Sequence, residues 1–82
     1  MVNILYFASF REMLGQANEQ LPAKHTTVSE LLAELASRGD HWKVALEDNV
    51  NLQIAVNQDI ASRETAIKAG DEVAFFPPVT GG

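Results

Sequence analysis

Residues 27–35 read Thr27-Val28-Ser29-Glu30-Leu31-Leu32-Ala33-Glu34-Leu35, which joins a helix start to an apolar stripe. The Thr27 hydroxyl can accept a hydrogen bond from the Glu30 amide while the Glu30 carboxylate reaches back, as in a capping box. The apolar residues that follow recur at the spacing of one helical face: Val28, Leu31, Leu32 and Leu35. We therefore predict a helix that starts at Val28, ends near Gly39 and buries one face against a sheet.

The segments before this helix alternate as strands do. Residues 2–10 carry large apolar side chains on both faces, which is typical of a central strand. A short turn of helix is expected over 11–14, closed by Gly15. A short polar strand near 18–21 should then return antiparallel to the first.

The segments after the helix predict one more helix and three strands. A shorter helix is expected over 40–46, with Asp40 as its cap. Residues 52–56 and 60–61 then form a hairpin candidate. A last strand over 73–76 is ended by proline.

This order predicts an α+β fold in which a mixed sheet of about five strands packs on one main helix. The apolar first and last strands are expected side by side in the middle of the sheet. The predicted core comprises Ile4, Tyr6, Leu31, Leu32, Leu35, Leu52, Ile54, Val56, Val73 and Phe75.

The same alternation leaves an outward apolar set of Leu5, Phe7, Ala74 and Phe76 on the open face of the sheet. Exposed apolar patches usually mark interfaces, so we expect a partner protein to bind here. The alternative is that a loop or the shorter helix covers this face.

Composition limits the functions that the chain can have. Its 82 residues make one small domain with little room for an enclosed active site. The net charge of −5 and the lack of a Lys/Arg cluster argue against nucleic acid. No apolar run is long enough to span a membrane and no signal peptide is evident, so a cytoplasmic location is expected. Because there are no cysteines, no side chain can carry a thioester or persulfide.

No set of side chains predicts catalysis or metal binding. His25 and His41 lack a second ligand at suitable spacing, and we expect both to be solvent-exposed. The acidic residues that could pair as general acid and base are spread over predicted solvated faces and turns, which favours structural roles: Glu12, Glu47, Asp48, Asp71 and Glu72. The alternative is that some of them contact a basic region of a partner protein. Trp42 is interpreted as a packing residue.

The sequence ends in Gly81-Gly82, two residues that add nothing to a packed core. Glycine offers a carboxylate with no Cβ beside it, on a backbone thin enough for a narrow cleft. Pro77 and Pro78 favour an extended stem before it. We expect a domain over 1–76 and a flexible tail over 77–82, with the Gly82 carboxylate as the functional group.

Several motifs together resemble the ubiquitin-like β-grasp sulfur carriers, most closely the small subunits of molybdopterin synthase. The motifs are Leu5-Tyr6-Phe7-Ala8 with Arg11-Glu12, Ala45-Leu46-Glu47-Asp48, Ala55-Val56-Asn57-Gln58, and the long block from Gly70 to Gly82. The resemblance implies the β-grasp fold and a carrier with no catalytic activity alone and no bound cofactor. It also implies a heterotetramer of two small and two large subunits.

The resemblance further implies the chemistry of the tail. Gly82 would be adenylated by a ubiquitin-activating-type adenylyltransferase that uses ATP, then converted to a thiocarboxylate. The tail, from Pro77 through Pro78, Val79, Thr80 and Gly81, would insert into the large subunit, where sulfur passes to cyclic pyranopterin monophosphate. The outward set of Leu5, Phe7, Ala74 and Phe76 would be the partner interface.

Three other functions share some of these features. A sulfur carrier for thiamine or tRNA thiolation, or a ubiquitin-like protein modifier, would have the same fold and diglycine. A plain interaction domain would carry its terminal glycines by chance.

Overall fold

The computed structural model describes residues 1–77. Its elements, in chain order, are β1 (Val2–Tyr6), α1 (Ser9–Leu14), β2 (Asn18–Leu21), α2 (Val28–Ala36), α3 (Asp40–Trp42), a π-helical segment (Lys43–Glu47), β3 (Gln53–Val56), β4 (Asp59–Ala61) and β5 (Glu72–Phe76). The five strands form one mixed sheet in the order β2-β1-β5-β3-β4. The predicted α+β fold is confirmed.

The first and last strands lie side by side, as predicted. They pair in parallel, with Ile4 opposite Val73 and Leu5 opposite Ala74. The three remaining pairs of neighbours, β1 with β2, β3 with β4 and β3 with β5, are antiparallel. Because β5 has a neighbour on each side, the chain leaves the sheet from its middle strand.

Helix α2 starts at the predicted residue but ends earlier than expected. The Thr27 hydroxyl accepts from the Glu30 amide at 3.3 Å, which confirms the cap. The Glu30 carboxylate reaches one residue further back than predicted and accepts from the amide of Thr26 at 2.7 Å. The helix ends at Ala36, and Arg38 lies beyond it in an ion pair with Glu19.

The core lies between one face of the sheet and the helices. Most of its predicted members are buried, but Leu52, just before β3, and Val56, at the last residue of β3, are only partly buried. The shorter helical segments and the stretch between β4 and β5 add several residues to the core that the strand and stripe patterns did not include: Phe10, Leu14, Trp42, Leu46 and Ile67. Trp42 is buried as interpreted, with its ring 5.7 Å from that of Tyr6 in an edge-on arrangement.

The expectation for the two histidines is half right. His41 is exposed, whereas the His25 side chain is largely buried and its Nε2 lies 2.9 Å from Glu34 Oε1. The loop before α2 folds back onto the helix, where Lys24 and His25 both contact Glu34. Sequence spacing could not show this contact, because it depends on the path of an irregular loop.

Candidate functional site

The candidate site is the face of the sheet opposite α2. It presents the residues that alternate with the core: Asn3, Leu5 and Phe7 from the first strand, Glu72, Ala74 and Phe76 from the last, and Ala55 and Ile60 from the hairpin. Helix α3 and the π-helical segment pack against α2 on the core side. Of the predicted alternative, cover by a loop or by the shorter helix, the part that concerns the helix is therefore wrong, and cover by a loop stays a prediction.

A row of four apolar residues crosses this face. Strand register places Leu5 opposite Ala74, Ala74 opposite Ala55, and Ala55 opposite Ile60. The two alanines lie between two larger side chains, so the row has a low centre and raised ends. Ala74 itself is buried, which leaves Leu5 and Ile60 as the prominent apolar groups of the row.

Ile60 is a member of this face that the sequence analysis missed. Its side chain is 94% exposed on the edge strand β4. The turn that places it has Asn57 and Gln58 at φ 52° and 72°, the left-handed pair of a tight hairpin. Alternation within the predicted strand at 60–61 was the available signal, since Ala61 packs against the core and Ile60 must then point outward.

An aromatic pair lies at the end of the face where β5 ends. The rings of Phe7 and Phe76 stack with centroids 4.6 Å apart and 10° between their planes. The Phe7 amide donates to the Phe75 carbonyl at 3.1 Å, so the backbone of the first strand is also tied to the last. The pair therefore fixes the last strand residue before Pro77, at the root of the predicted tail.

The predicted tail lies mostly outside the described residues. Pro77 is described and partly buried. The predictions for Pro78, Val79, Thr80, Gly81 and Gly82 fall beyond it and stay predictions, as does the role of Leu5, Phe7, Ala74 and Phe76 in binding a partner.

Polar groups flank the apolar row on the side away from the aromatic pair. Gln20 donates to Asn3 at 2.7 Å, and Asn57 accepts from the Glu72 amide at 3.0 Å. A shallow cleft of about 470 Å³ lies among these strands, lined by Asn3, Leu5, Asn18, Gln20 and Glu72, together with the backbone neighbours Ile4 and Glu19. The face thus has an apolar centre with a polar, partly acidic rim, the usual anatomy of a protein interface.

Among the acidic residues singled out from the sequence, two groups have structural partners. Asp71 accepts from the side-chain amide of Asn57 at 3.0 Å and from the Lys68 amide at 2.9 Å, which lower the pKa of its carboxyl. Glu47 and Asp48 both pair with Lys43. Within residues 1–77, no group of three His, Cys, Asp or Glu side chains is placed to hold a metal ion. In the same range, no helix has the length and apolarity required to cross a membrane.

Comparison with known proteins gives full-length matches. The model of the ThiS family matches residues 4–82. The molybdopterin synthase sulfur carrier subunit of Haemophilus influenzae is 46% identical, with all of both chains aligned. The corresponding subunit of Escherichia coli is 45% identical, again over all of both chains.

Solved structures agree on the fold. SAMP1, the small archaeal modifier protein 1 of Haloferax volcanii, superposes with a TM-score of 0.79 and 28% identity over 99% of this chain and 98% of that one. One chain of the Helicobacter pylori complex of molybdopterin-converting factor subunits 1 and 2 also superposes on this protein. Its TM-score is 0.66, with 27% identity over 99% of this chain and 97% of that one. With its β-grasp sheet and these full-length matches, the chain belongs to the ThiS family and is grouped there with the molybdopterin synthase sulfur carrier subunits.

Proposed function

We propose that this chain carries sulfur as a thiocarboxylate on Gly82 and donates it to cyclic pyranopterin monophosphate, in the synthesis of the molybdopterin dithiolene. The observation that supports this most is the 46% identity, over all of both chains, to a molybdopterin synthase sulfur carrier subunit. The absence of cysteine from the sequence supports it further, because the carrier group must then be the main-chain carboxylate.

Activation of the carboxylate comes first. A carboxylate resists nucleophiles, and a ubiquitin-activating-type adenylyltransferase joins it to AMP at the expense of ATP, releasing pyrophosphate. A hydrosulfide equivalent from a sulfur-transfer system then attacks the carbonyl carbon. The C–S bond forms, the C–O bond to AMP breaks, and Gly82 ends in a thiocarboxylate.

Delivery of sulfur requires only that the tail reach a partner's active site. The thiocarboxylate sulfur is ionised and nucleophilic, so it needs no general base from this chain. Fully extended, residues 77–82 span at most about 20 Å. Gly81 and Gly82 have no side chains to block a narrow passage, and water can release the carboxylate again after the sulfur has been transferred.

The open face of the sheet supplies the docking surface for the large subunit. Its apolar row and the Phe7–Phe76 pair lie beside the point at which the chain leaves β5. Docking there holds the tail at a high effective concentration near the acceptor. The Helicobacter pylori structure is a complex of subunits 1 and 2, which supports an assembly with a large subunit here. The further proposal, from the resemblance, is that the assembly holds two small and two large subunits.

The catalytic groups then reside on the partners. This chain binds no cofactor, and ATP is consumed by the adenylyltransferase. A carrier of this kind has no activity alone, and its specificity depends on which proteins its open face fits.

Intact mass spectrometry tests the proposal. The chain is incubated with ATP, an adenylyltransferase and a sulfur source, and we expect one oxygen at its C-terminus to be replaced by sulfur. The thiocarboxylated chain, mixed with the large subunit and cyclic pyranopterin monophosphate, should then yield molybdopterin. A chain lacking Gly82 is the control, since it keeps residues 1–77 and should bind the large subunit without donating sulfur. An unmodified terminus, under conditions that modify a known carrier, contradicts the proposal.

Protein modification is the second candidate function, favoured by the likeness to the archaeal modifier SAMP1. The same adenylate would then be attacked by a lysine amine instead of sulfur. Covalent conjugates on denaturing gels, lost when Gly82 is deleted, would support this function. Restoration of molybdopterin synthesis in cells lacking a carrier subunit would support the first.

A further inference from the structure

The turn between β1 and α1 contains a strained alanine. Ala8 has φ 53° and ψ −130°, a combination that L-residues rarely adopt and that corresponds to the first central position of a type II′ turn. The turn is closed by two backbone hydrogen bonds, from the Phe10 amide to the Phe7 carbonyl at 3.1 Å and from the Arg11 amide to the Ala8 carbonyl at 3.2 Å. Glycine is the residue that suits this position.

No local contact explains why alanine occupies the position. The Ala8 side chain is exposed, so its methyl group adds nothing to the core. It also cannot cap α1, which has no side-chain hydrogen bond at its N-terminus. Two other turns place glycine where φ is positive, at Gly15 with φ 77° and at Gly70 with φ 91°, whereas the β3–β4 turn has Asn57 and Gln58 at such positions. Residues held in strained conformations tend to occur at functional sites.

Phe7, the residue before this turn, lies on the open face of the sheet that is proposed to bind the large subunit, hereafter the docking face. Phe7 stacks on Phe76 and donates its amide hydrogen to the Phe75 carbonyl. Alanine at position 8 allows few backbone conformations, whereas glycine would allow many. A stiff turn therefore restricts the backbone of Phe7 and, through the stacked rings, the root of the tail at Phe76.

We propose that Ala8 is a positioning residue: its strained turn holds Phe7 against Phe76, so that the docking face and the root of the tail meet the large subunit already in the bound arrangement. The proposal rests on the proposed function for the identity of that partner. Preorganisation of this kind lowers the ordering cost of binding. The alanine thus reduces the stability of the fold and improves the fit to the partner.

Two substitutions at the same position separate strain from stiffness. Ala8→Gly removes both, because glycine accepts positive φ without holding the turn. D-alanine at position 8, introduced by chemical synthesis of the 82-residue chain, removes the strain but stays stiff, since the mirror image of this conformation is favourable for L-alanine. Gln58→Gly is the control, because it relieves a positive φ of 72° in the β3–β4 turn, at the edge of the sheet away from β1 and Phe7.

All three variants are expected to melt a few degrees higher than the parent chain. In Ala8→Gly alone, the Phe7 amide should exchange its hydrogen faster with solvent in spite of the higher global stability. The KM for the large subunit in sulfur transfer should rise about threefold to tenfold, with kcat unchanged, as expected for one side chain that must be ordered on binding. D-alanine at position 8 should keep the parental Phe7 exchange rate and KM, and Gln58→Gly should keep the parental Phe7 exchange rate.

Three outcomes would overturn the proposal. One is a lower melting temperature for Ala8→Gly, which would mean that the turn holds no strain. Another is that, in Ala8→Gly, protection of the Phe7 amide from hydrogen exchange rises together with global stability, which is what a purely structural role predicts. The third is a KM for Ala8→Gly equal to that of the parent. Because the exchange measurement uses the free chain, its result stands even if the parent chain fails to transfer sulfur, an outcome that would instead contradict the proposed function.

Discussion

Arg38 and Glu19 form a two-pronged ion pair between the end of α2 and the edge strand β2. Arg38 Nη1 donates to Glu19 Oε2, and Nη2 donates to Oε1, both at 2.7 Å. The Tyr6 hydroxyl donates to Oε2 at 2.7 Å as well, and the guanidinium lies 4.7 Å from the centre of the Trp42 ring. Burial alone would raise the pKa of Glu19, but the hydrogen bonds from Arg38 and Tyr6 outweigh it and hold that pKa below its usual value.

Arg38→Ala should therefore lower the free energy of unfolding by about 1–3 kcal/mol, because it leaves a partly buried carboxylate without its cation. The free energy of unfolding of Arg38→Lys should lie between those of the parent chain and Arg38→Ala, because one ammonium cannot make both parallel hydrogen bonds. Urea unfolding followed by circular dichroism measures both. The matched control is Lys43→Ala, which removes a 2.8 Å pair to Asp48 whose side chains are 50% and 51% exposed, against 29% and 15% for Arg38 and Glu19. We expect a much smaller loss for Lys43→Ala, and equal losses would show that burial does not set the strength of these pairs.

Ile60→Ala should weaken binding to the large subunit with little effect on the fold. The side chain is almost fully exposed in the free chain, so its removal creates no cavity. Burial of an isoleucine at an interface contributes about 1.5–3 kcal/mol, and truncation to alanine should raise the Kd at least tenfold. Isothermal titration calorimetry with the large subunit measures this Kd. Val50→Ala is the control, as this residue is 91% exposed in the loop before β3 and lies outside the sheet. A Kd for Ile60→Ala no different from that for Val50→Ala would exclude the edge of the sheet from the interface.

Arg63→Ala should destabilise the end of the π-helical segment. The guanidinium donates to the carbonyls of Glu47 at 2.9 Å and Leu46 at 3.2 Å in the last turn of the segment, and to that of Asn49 at 2.7 Å just after it. We expect a loss of about 1.5–3 kcal/mol in the free energy of unfolding and faster amide exchange around Asn49. Arg11→Ala, an exposed arginine on α1, is the control and should change stability by less than about 0.5 kcal/mol. Unchanged exchange near Asn49 would contradict the capping role.

Asp71→Asn should make the stability of the fold less dependent on pH in acid. The hydrogen bond from Asn57, followed by that from the Lys68 amide, lowers the pKa of Asp71 in the folded chain. A carboxyl whose pKa is lower in the folded chain than in the unfolded chain stabilises the fold at pH values above its unfolded pKa, which is about 3.9. This stabilisation is lost as the pH falls through the lower pKa of the folded chain.

Urea titrations between about pH 2.5 and pH 7 should show a smaller decline for Asp71→Asn than for the parent chain, from a lower starting stability at neutral pH. Asp59→Asn, at the exposed start of β4, controls for the loss of one negative charge. A parental pH profile for Asp71→Asn would mean that other carboxylates control acid unfolding.

Much of the fold could be predicted because the decisive signals are local. The Thr27 cap and the stripe that ends at Leu35 predicted α2, and the apolar alternation of the first and last strands predicted their central pairing. The predicted helix end was wrong because the backbone tightens after Ala36, where the amides of Arg38 and Gly39 bond to carbonyls three residues back instead of four. The burial of His25 was missed because its partner Glu34 lies nine residues away across a loop.

The candidate site was only partly predictable. Alternation placed Leu5 and Phe7 on the open face, but the inclusion of Ile60 follows from strand register across β3 and β4. The stacking of Phe7 on Phe76 likewise joins residues that are far apart in sequence and depends on the parallel pairing of β1 with β5. The conformation of Ala8 had no sequence signal, because alanine gives no indication of positive φ.

The sequence by itself determined the class of fold, the family and the absence of any side-chain thiol, because periodicity, capping motifs and composition are properties of short stretches of chain. Only the tertiary structure decided which apolar residues share the open face, how Phe7 holds the root of the tail, and where a strained turn supports it. The physical reason is that these relationships depend on contacts between segments distant in the chain. Such contacts form only when hydrophobic burial and strand pairing bring those segments together.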